Sequence, residues 1–440
     1  MTTKNLSKFS IPFFLVALLL FVSQIQAQSN LAYGPRAKSM AGAGTAIVEN
    51  SIWGNSNPGG QVFLGQKLGI GIEIAMPKAS YFVAGEPTEF EQTQSSIWPL
   101  GIKTGGVDSE NKVLVIPQIG FNMSLDDNNS IGISIYGNGN KGKEYAAKTY
   151  YSPVIADFGS SEGFINPMGT VSYPTFMKLN QYFAALSYSR KFGDKLGIGI
   201  SLVGAWQSFS AGGLEAFGSL HYSEFPNELT NNETANSFGV GGKLGVQWNV
   251  SKKFQAGVAF RTKLYMTTMD EYKGLISESG KLDIPSEWSI GLVYHPFDRF
   301  LMALDMNRIC HSGVPAWGLA MKQKGAVSLG GENGGGFGRT DQMTYKFGIQ
   351  YSIPKWQFRV GYQYSDLTLV ASEFLLNMMM PDVITDHVSF GFSRDIGEQN
   401  ISFAIVKGFK KTATGFNVMD NAQFMDLTAQ NLLFEVAVEF

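Results

Sequence analysis

A single cysteine, Cys310, stands in the chain, so no internal disulfide can hold its fold together. Charged residues are scarce at 16% and nearly balanced, leaving a net charge of −2. That balance excludes the basic face a nucleic-acid partner would need. The four histidines, His221, His295, His311 and His387, are scattered without metal-site spacing, and no cofactor motif is present. Residues 159–163 read GSSEG and match the nucleophile-elbow pattern, but no strand-to-helix turn surrounds them. Cys310 and His311 adjoin at a loop edge, where chance explains the pairing. No nucleophile–base pair can be argued, so an enzyme is not expected. Long apolar runs are missing as well. The longest, Ile11 to Val22, is about a dozen residues, too short to cross a bilayer as a helix.

That run suits a secretory signal. Lys4 and Lys8 precede it and the small-ended stretch Ser23 to Ala27 follows, so residues 1–27 are expected to be removed on export. Loss of those two lysines takes the net charge to −4. What the chain has in quantity is glycine, 51 residues, and aromatics, 13%. Together with low charge, these suit many strands joined by tight turns.

A period of two runs through the mature chain. Leu68, Ile70, Ile72 and Ile74 alternate with Gly69, Gly71, Glu73 and Ala75. Leu244, Val246, Trp248 and Val250 alternate with Lys243, Gly245, Gln247 and Asn249, and the last ten residues, NLLFEVAVEF, repeat the pattern. Successive side chains of a strand point to opposite faces, so each segment has one greasy face and one polar or small one. Fourteen such segments are expected at 67–77, 113–125, 130–138, 179–191, 195–208, 238–250, 253–266, 287–296, 299–309, 342–352, 355–365, 386–395, 400–410 and 430–440.

Their connections alternate between short turns and long loops, the loops at 78–112, 139–178, 209–237, 267–286, 310–341, 366–385 and 411–429. An even strand number with this asymmetry, and apolar stripes rich in Trp, Tyr and Phe, predicts an all-β fold: a 14-stranded antiparallel transmembrane barrel. Its polar faces would line the interior. In lipid every strand edge must pair, so 430–440 should close on 67–77. The terminal Phe440 is the kind of residue that barrel-assembly machinery reads. The expected setting is therefore the outer membrane of a Gram-negative bacterium, with its lipid as a partner.

Before the first strand lies a segment rich in small residues, SMAGAGTA at 39–46. Small side chains allow close packing in a confined space, and an empty fourteen-strand barrel would leak. Residues 28–62 are therefore expected to form a plug in the lumen, with 63–440 as the barrel.

These residues carry a resemblance. GPRAKSMAGAGTA at 34–46 followed by NPGG at 57–60, IPSEWSIGL at 284–292, FGIQY at 347–351 with FRVGY at 358–362, and MPD at 380–382 before HVSFG at 387–391 together resemble the FadL/TodX family. That family comprises outer-membrane transporters of long-chain fatty acids and other hydrophobic compounds. Gly59 replaces the family's alanine after Asn57-Pro58, and the leucine that usually follows is absent. The resemblance implies a plug whose gating residues would include Arg36, Gly42, Gly44, Asn57 and Pro58. It also implies capture among extracellular loops, a pocket inside the barrel, and sideways release near the third strand, where Gly137 and Gly139 stand.

Two loops carry candidate capture residues: Phe209, Leu214, Phe217, Leu220, Phe225 and Leu229 in the first, and Met269, Tyr272, Leu275 and Ile276 in the second. Exposed apolar side chains need something to pack on or bind. Packing of the loops on each other explains them equally well. Strand parity turns Arg261, Lys263, Lys346 and Arg359 inward, where a carboxylate head would find a cation, or where Glu287 and Asp305 would pair with them. The expected cargo is a fatty acid or an aromatic hydrocarbon. The alternatives are the barrel of a protein secretion system, since related plug wording occurs in barrels of gliding bacteria, and a general porin.

Overall fold

The structure, a computed structural model, describes residues 32–88, 100–110, 112–146, 150–151, 174–323 and 326–440. The signal segment 1–27 and the GSSEG stretch 159–163 lie outside them. Fourteen long strands form the wall: β1 Lys67–Ala75, β2 Leu114–Ser124, β3 Asn129–Asn140, β4 Thr175–Phe192, β5 Leu196–Gly212, β6 Ala235–Trp248, β7 Phe254–Arg261, β8 Glu287–Phe297, β9 Phe300–Ile309, β10 Gln342–Ile353, β11 Trp356–Ser365, β12 Asp386–Ile396, β13 Gln399–Asn417 and β14 Asp420–Glu439. Each pairs antiparallel with the next. The ring closes through β14 and β1, with Gly69 opposite Glu439 and Ala75 opposite Leu433. Closure leaves no strand edge to lipid, where an unpaired backbone amide or carbonyl would be costly.

Side-chain parity follows the expected alternation. On β5, Ile198, Ile200 and Leu202 face outward, Leu202 at 61% exposure, while Ser201, Val203, Ala205 and Gln207 are buried inside. Outward aromatics gather in two belts. Phe192, Trp248, Phe254, Phe297, Tyr351 and Phe358 sit toward the short turns; Trp206, Phe238, Tyr265, Tyr345, Tyr362 and Tyr364 sit toward the long loops. Amphipathic rings favour the two membrane boundaries, so the belts mark the thickness of the lipid band.

The structure corrects one loop. Residues 411–429 do not form a long connection: β13 and β14 run on to Asn417 and Asp420 and turn there. Strand Lys78–Ala84 continues the line of β1 after Pro77 and pairs with Phe424–Gln430, and Gly105–Asp108 adds to it. A four-stranded sheet therefore rises above the membrane at this side. Its sequence escaped notice because a sheet standing in water needs no continuous apolar stripe.

Candidate substrate path inside the barrel

Residues 32–63 run through the lumen against inward glycines of the wall. The close approaches need glycine. A Cβ at Gly361 would lie 2.2 Å from the carbonyl carbon of Met40, and one at Gly245 would lie 2.1 Å from Asn57 Oδ1. Gly120, Gly257, Gly291 and Gly348 meet the same segment at Ser51, Thr45 and Met40. The small-residue run has a matching reason: Trp53 folds over Gly44, where a Cβ would stand 1.8 Å from its ring.

Polar contacts fasten the segment at four places. Asp305 Oδ2 accepts from Gly44 N at 2.8 Å and from Thr45 N and Oγ1 at 2.7 Å each. Arg359 reaches Glu49 at 3.1 Å, and Arg36 donates to the Glu49 carbonyl at 3.2 Å. Lys38 is buried between Glu73 and Glu435, the latter at 2.9 Å. Asn57 Nδ2 donates to Thr45 O at 2.7 Å and to Val246 O at 2.9 Å, and its Oδ1 accepts from Gly59 N at 3.0 Å. Pro58 packs closely against Gly199 and Gly245.

Above this segment is a cavity of about 100 Å³. Five cationic side chains line it, Lys141, Lys243, Arg261, Arg339 and Lys346, against one carboxylate, Glu287. Tyr33, Tyr136, Trp288, Trp317 and His311 complete the wall. Arg261 and Glu287 stand 3.4 Å apart, and Lys243 donates to Asn55 O at 2.8 Å. Arg339 pairs with Asp382 at 3.4 Å and is held by Met380 O at 2.7 Å and Asn377 Oδ1 at 3.2 Å, with its guanidinium 5.2 Å from the Trp317 ring centre. Lys141 lies over the same ring at 5.7 Å. Burial, and then the positive charge of Arg339, hold the Lys141 ammonium down to about 8. Burial, Arg339 and Lys141 likewise keep His311 neutral, its pKa lowered to about 4. With Arg261 and Arg339 paired, the remaining lysines leave an excess of positive charge in a confined, poorly solvated space, which is set up to receive an anion.

An apolar lane runs from the cavity to the wall. Tyr33 packs on Tyr136 with ring centres 4.3 Å apart, and Tyr136 stacks on Phe183 at 5.1 Å. Ala185, Val203, Ala205, Leu264, Met266 and Ile284 join them. At this point the ladder between β2 and β3 stops. Its last pair is Ile119 with Ile135; Leu114–Gln118 pair only with β1, and Tyr136–Asn140 turn to β4. Asn138 is skipped between Gly137–Tyr182 and Gly139–Gln181, a bulge with Gly139 at φ 66°. Tyr33 donates to Asn138 Oδ1, and Asn138 Nδ2 donates to Gln181 at 3.2 Å.

Residues 16–413 match the family described as outer membrane protein transport protein (OMPP1/FadL/TodX). The chain belongs to that family. Among solved structures it is similar to the toluene transporter TodX of Pseudomonas putida, at 17% identity and a TM-score of 0.64, covering 93% of this chain and 99% of that one. A FadL homologue of Pseudomonas aeruginosa matches at 15% identity and 0.64, covering 95% and 99%. The toluene transporter TbuX of Ralstonia pickettii matches at 17% and 0.54, covering 92% and 98%. No curated protein sequence matches. Family membership makes the chain an outer-membrane barrel that transports hydrophobic compounds, a transport protein rather than an enzyme. Among the described residues, no group of His, Cys, Asp and Glu is arranged to hold a metal.

In this family member the expected residues fall into three places. Phe209, Leu214, Phe217, Leu220, Leu229, Met269, Tyr272, Leu275 and Ile276 come together as one buried apolar layer over the barrel mouth. Phe225 stays outside it, half-exposed, with the Lys273 ammonium 4.8 Å from its ring centre. Arg261 and Lys346 line the cavity. Arg359 does not: its guanidinium is taken up by Glu49, Gln350, Gln357 and Ser393. Lys263 pairs with Asp283 at 3.3 Å. Arg36, Gly42, Gly44, Asn57 and Pro58 lie in the lumenal segment, and Gly137 and Gly139 flank the bulge.

Sequence reading missed two groups. Phe374, Leu375, Leu376, Met378, Met379 and Met380 come from the loop after β11 and share the apolar layer. Their signal was the run FLLNMMM in a loop. Tyr136 and Phe183 were missed too, although each stands at the inward parity of its strand, Tyr136 in line with Ser130, Gly132 and Ser134, and Phe183 between Gln181 and Ala185.

Proposed function

We propose that this chain carries long-chain fatty acids, or similar hydrophobic carboxylates, passively across the outer membrane. The observation that supports this reading is the charge of the cavity: five cationic side chains line it, and with Arg261 paired to Glu287 and Arg339 to Asp382, the ammonium groups of Lys141 and Lys243 have no carboxylate in salt-bridge contact among the described residues. A neutral hydrocarbon gains nothing from that lining and would have to displace water from it. A carboxylate gains charge-assisted hydrogen bonds there.

Capture falls to the apolar layer over the mouth, where eight methionines, Met378 to Met380 among them, can adapt to an acyl chain. Each methylene buried there contributes about 0.8 kcal/mol. The head then rests among Lys141, Arg261 and Lys346, with Arg339 beside them. The N-terminal segment 28–62 serves as the plug and closes the way down. The acyl chain leaves sideways along Tyr33, Tyr136 and Phe183, between β2 and β3. The solved toluene transporters offer a second reading, in which the cargo is a monoaromatic hydrocarbon.

Oleate binding separates the two readings and has a pH signature. Lys141 is charged below its pKa of about 8 and neutral above it. Affinity for oleate should therefore fall about tenfold as pH rises from roughly 7 to roughly 9, while the carboxylate stays ionised throughout. Lys141→Met should flatten that profile at the weaker value. Binding of toluene, or oleate affinity that ignores pH, would count against the carboxylate reading.

A further inference from the structure

Four lysines gather on the outer wall, away from the path inside. β13 carries Lys407, Lys410 and Lys411, and Lys78 opens the strand that pairs with β14 from the other side. The register brings them together. Lys78 stands opposite Gln430 of β14, and Lys407 donates to Gln430 Oε1 at 3.2 Å. Beyond the slip Lys411 stands opposite Ala429, a buried residue, yet is itself exposed. Between Gly408 and Lys411 the register of β13 slips. A regular strand sends alternate side chains inward, but this bulge leaves Phe409, Lys410, Lys411 and Thr412 all exposed in succession.

The height of the patch is fixed by its neighbours. Gly408 pairs with His387, and His387 with Gln363, so the lysines lie level with Tyr362 and Tyr364 in the aromatic belt on the long-loop side. Among the described residues, none of the four forms an ion pair. Elsewhere on the same rim Lys112 and Lys178 share Glu144, and Arg308 holds Asp341. The carboxylates bordering the patch accept from hydroxyls instead: Asp386 from Tyr362 and Thr385 at 2.6 Å each, and Asp426 from Thr414 at 2.5 Å. Asp386 lies close enough to feel the charge of Lys411, but none of the four lysines is held in a salt bridge among the described residues, and like charges clustered where protein meets lipid headgroups form a site for anionic headgroups.

We propose that Lys78, Lys407, Lys410 and Lys411 bind the phosphates of an outer-leaflet glycolipid, with Phe409, 48% exposed, against its apolar part. A lipid-borne phosphate fits better than a free one because Lys78 and Lys407 have outward parity toward the lipid band and Phe409 sets an exposed apolar ring among the cations. The occupant would steady the tall β13–β14 hairpin at its base.

The test uses the full mature chain in detergent, with bisphosphorylated lipid A as the probe and native mass spectrometry as the readout. Bound lipid A should be retained by the unaltered chain and by K78R/K407R/K410R/K411R. It should bind about tenfold or more weakly to K78Q/K407Q/K410Q/K411Q. Dephosphorylated lipid A should bind the unaltered chain as weakly, and excess inorganic phosphate should not displace the lipid. Retention of the heat-modifiable gel shift reports a folded barrel. Should the fourfold glutamine variant not fold, K410Q/K411Q takes its place. Equal affinity of the glutamine variant, equal binding of the dephosphorylated lipid, or full displacement by inorganic phosphate would overturn the proposal.

Discussion

Gly245→Val together with Gly361→Val is expected to turn a closed barrel into one that conducts ions continuously in a planar bilayer. Both glycines sit on strands whose backbones are paired on two sides. Their added side chains would point at the N-terminal segment. The Cβ positions lie 2.1 Å from Asn57 Oδ1 and 2.2 Å from the Met40 carbonyl carbon, well inside contact distance. Something must move, and the wall is the harder element to shift, since lipid leaves its amides no other partners. The segment yields at two points, Met40–Ala41 and Asn57–Gly59, on opposite sides of its Asp305 anchor. Valine suits strands, so the barrel itself should still form. An unchanged, non-conducting double variant with a folded barrel would mean that the segment is not what closes the lumen.

Joining β2 to β3 should abolish uptake while leaving binding intact. A Cβ at Gly137 would lie 3.3 Å from Ile116 Cγ2, so the two positions are in side-chain contact. In a Cys310→Ser background, Ile116→Cys with Gly137→Cys should cross-link on oxidation and close the stretch where the two strands do not pair. Uptake of labelled oleate by cells relying on this barrel should drop to background and return with a reductant. Oleate affinity of the oxidised protein should change little, because neither Ile116 nor Gly137 lines the cavity. Uptake that continues through the oxidised barrel would place the exit somewhere other than this seam.

The strands were legible because burial in lipid imposes a strict period of two. Ile198, Ile200 and Leu202 had to point one way whatever the rest of the chain did. The closing pair of β14 with β1 was legible for the same reason, since an open edge is not tolerated in hydrocarbon. The inward glycines were visible as a pattern, but their partners were not: nothing near Gly361 in sequence announces Met40. The cavity was half-readable. Parity turned Arg261 and Lys346 inward, while Lys141 and Arg339 arrive from loops about two hundred residues apart. Arg359 had the right parity and a different duty, because the sequence does not say that Glu49 will be its neighbour. The loop residues from Phe209 to Ile276 were singled out for being apolar in loops, and the structure gathers all but Phe225 into one layer.

The most direct measurement is quenching by a brominated fatty acid, which reports contact between an acyl chain and a tryptophan. Trp317 lines the cavity beside Lys141 and Arg339, and can be kept as the sole tryptophan with the other six replaced by phenylalanine. Titration with 9,10-dibromostearate should quench Trp317 saturably. Arg261→Gln with Lys141→Gln should weaken that binding about tenfold or more, and the neutral methyl ester should bind no better than this variant. Absence of quenching in a folded barrel, or equal quenching by acid and ester, would contradict a carboxylate-binding path through the lumen.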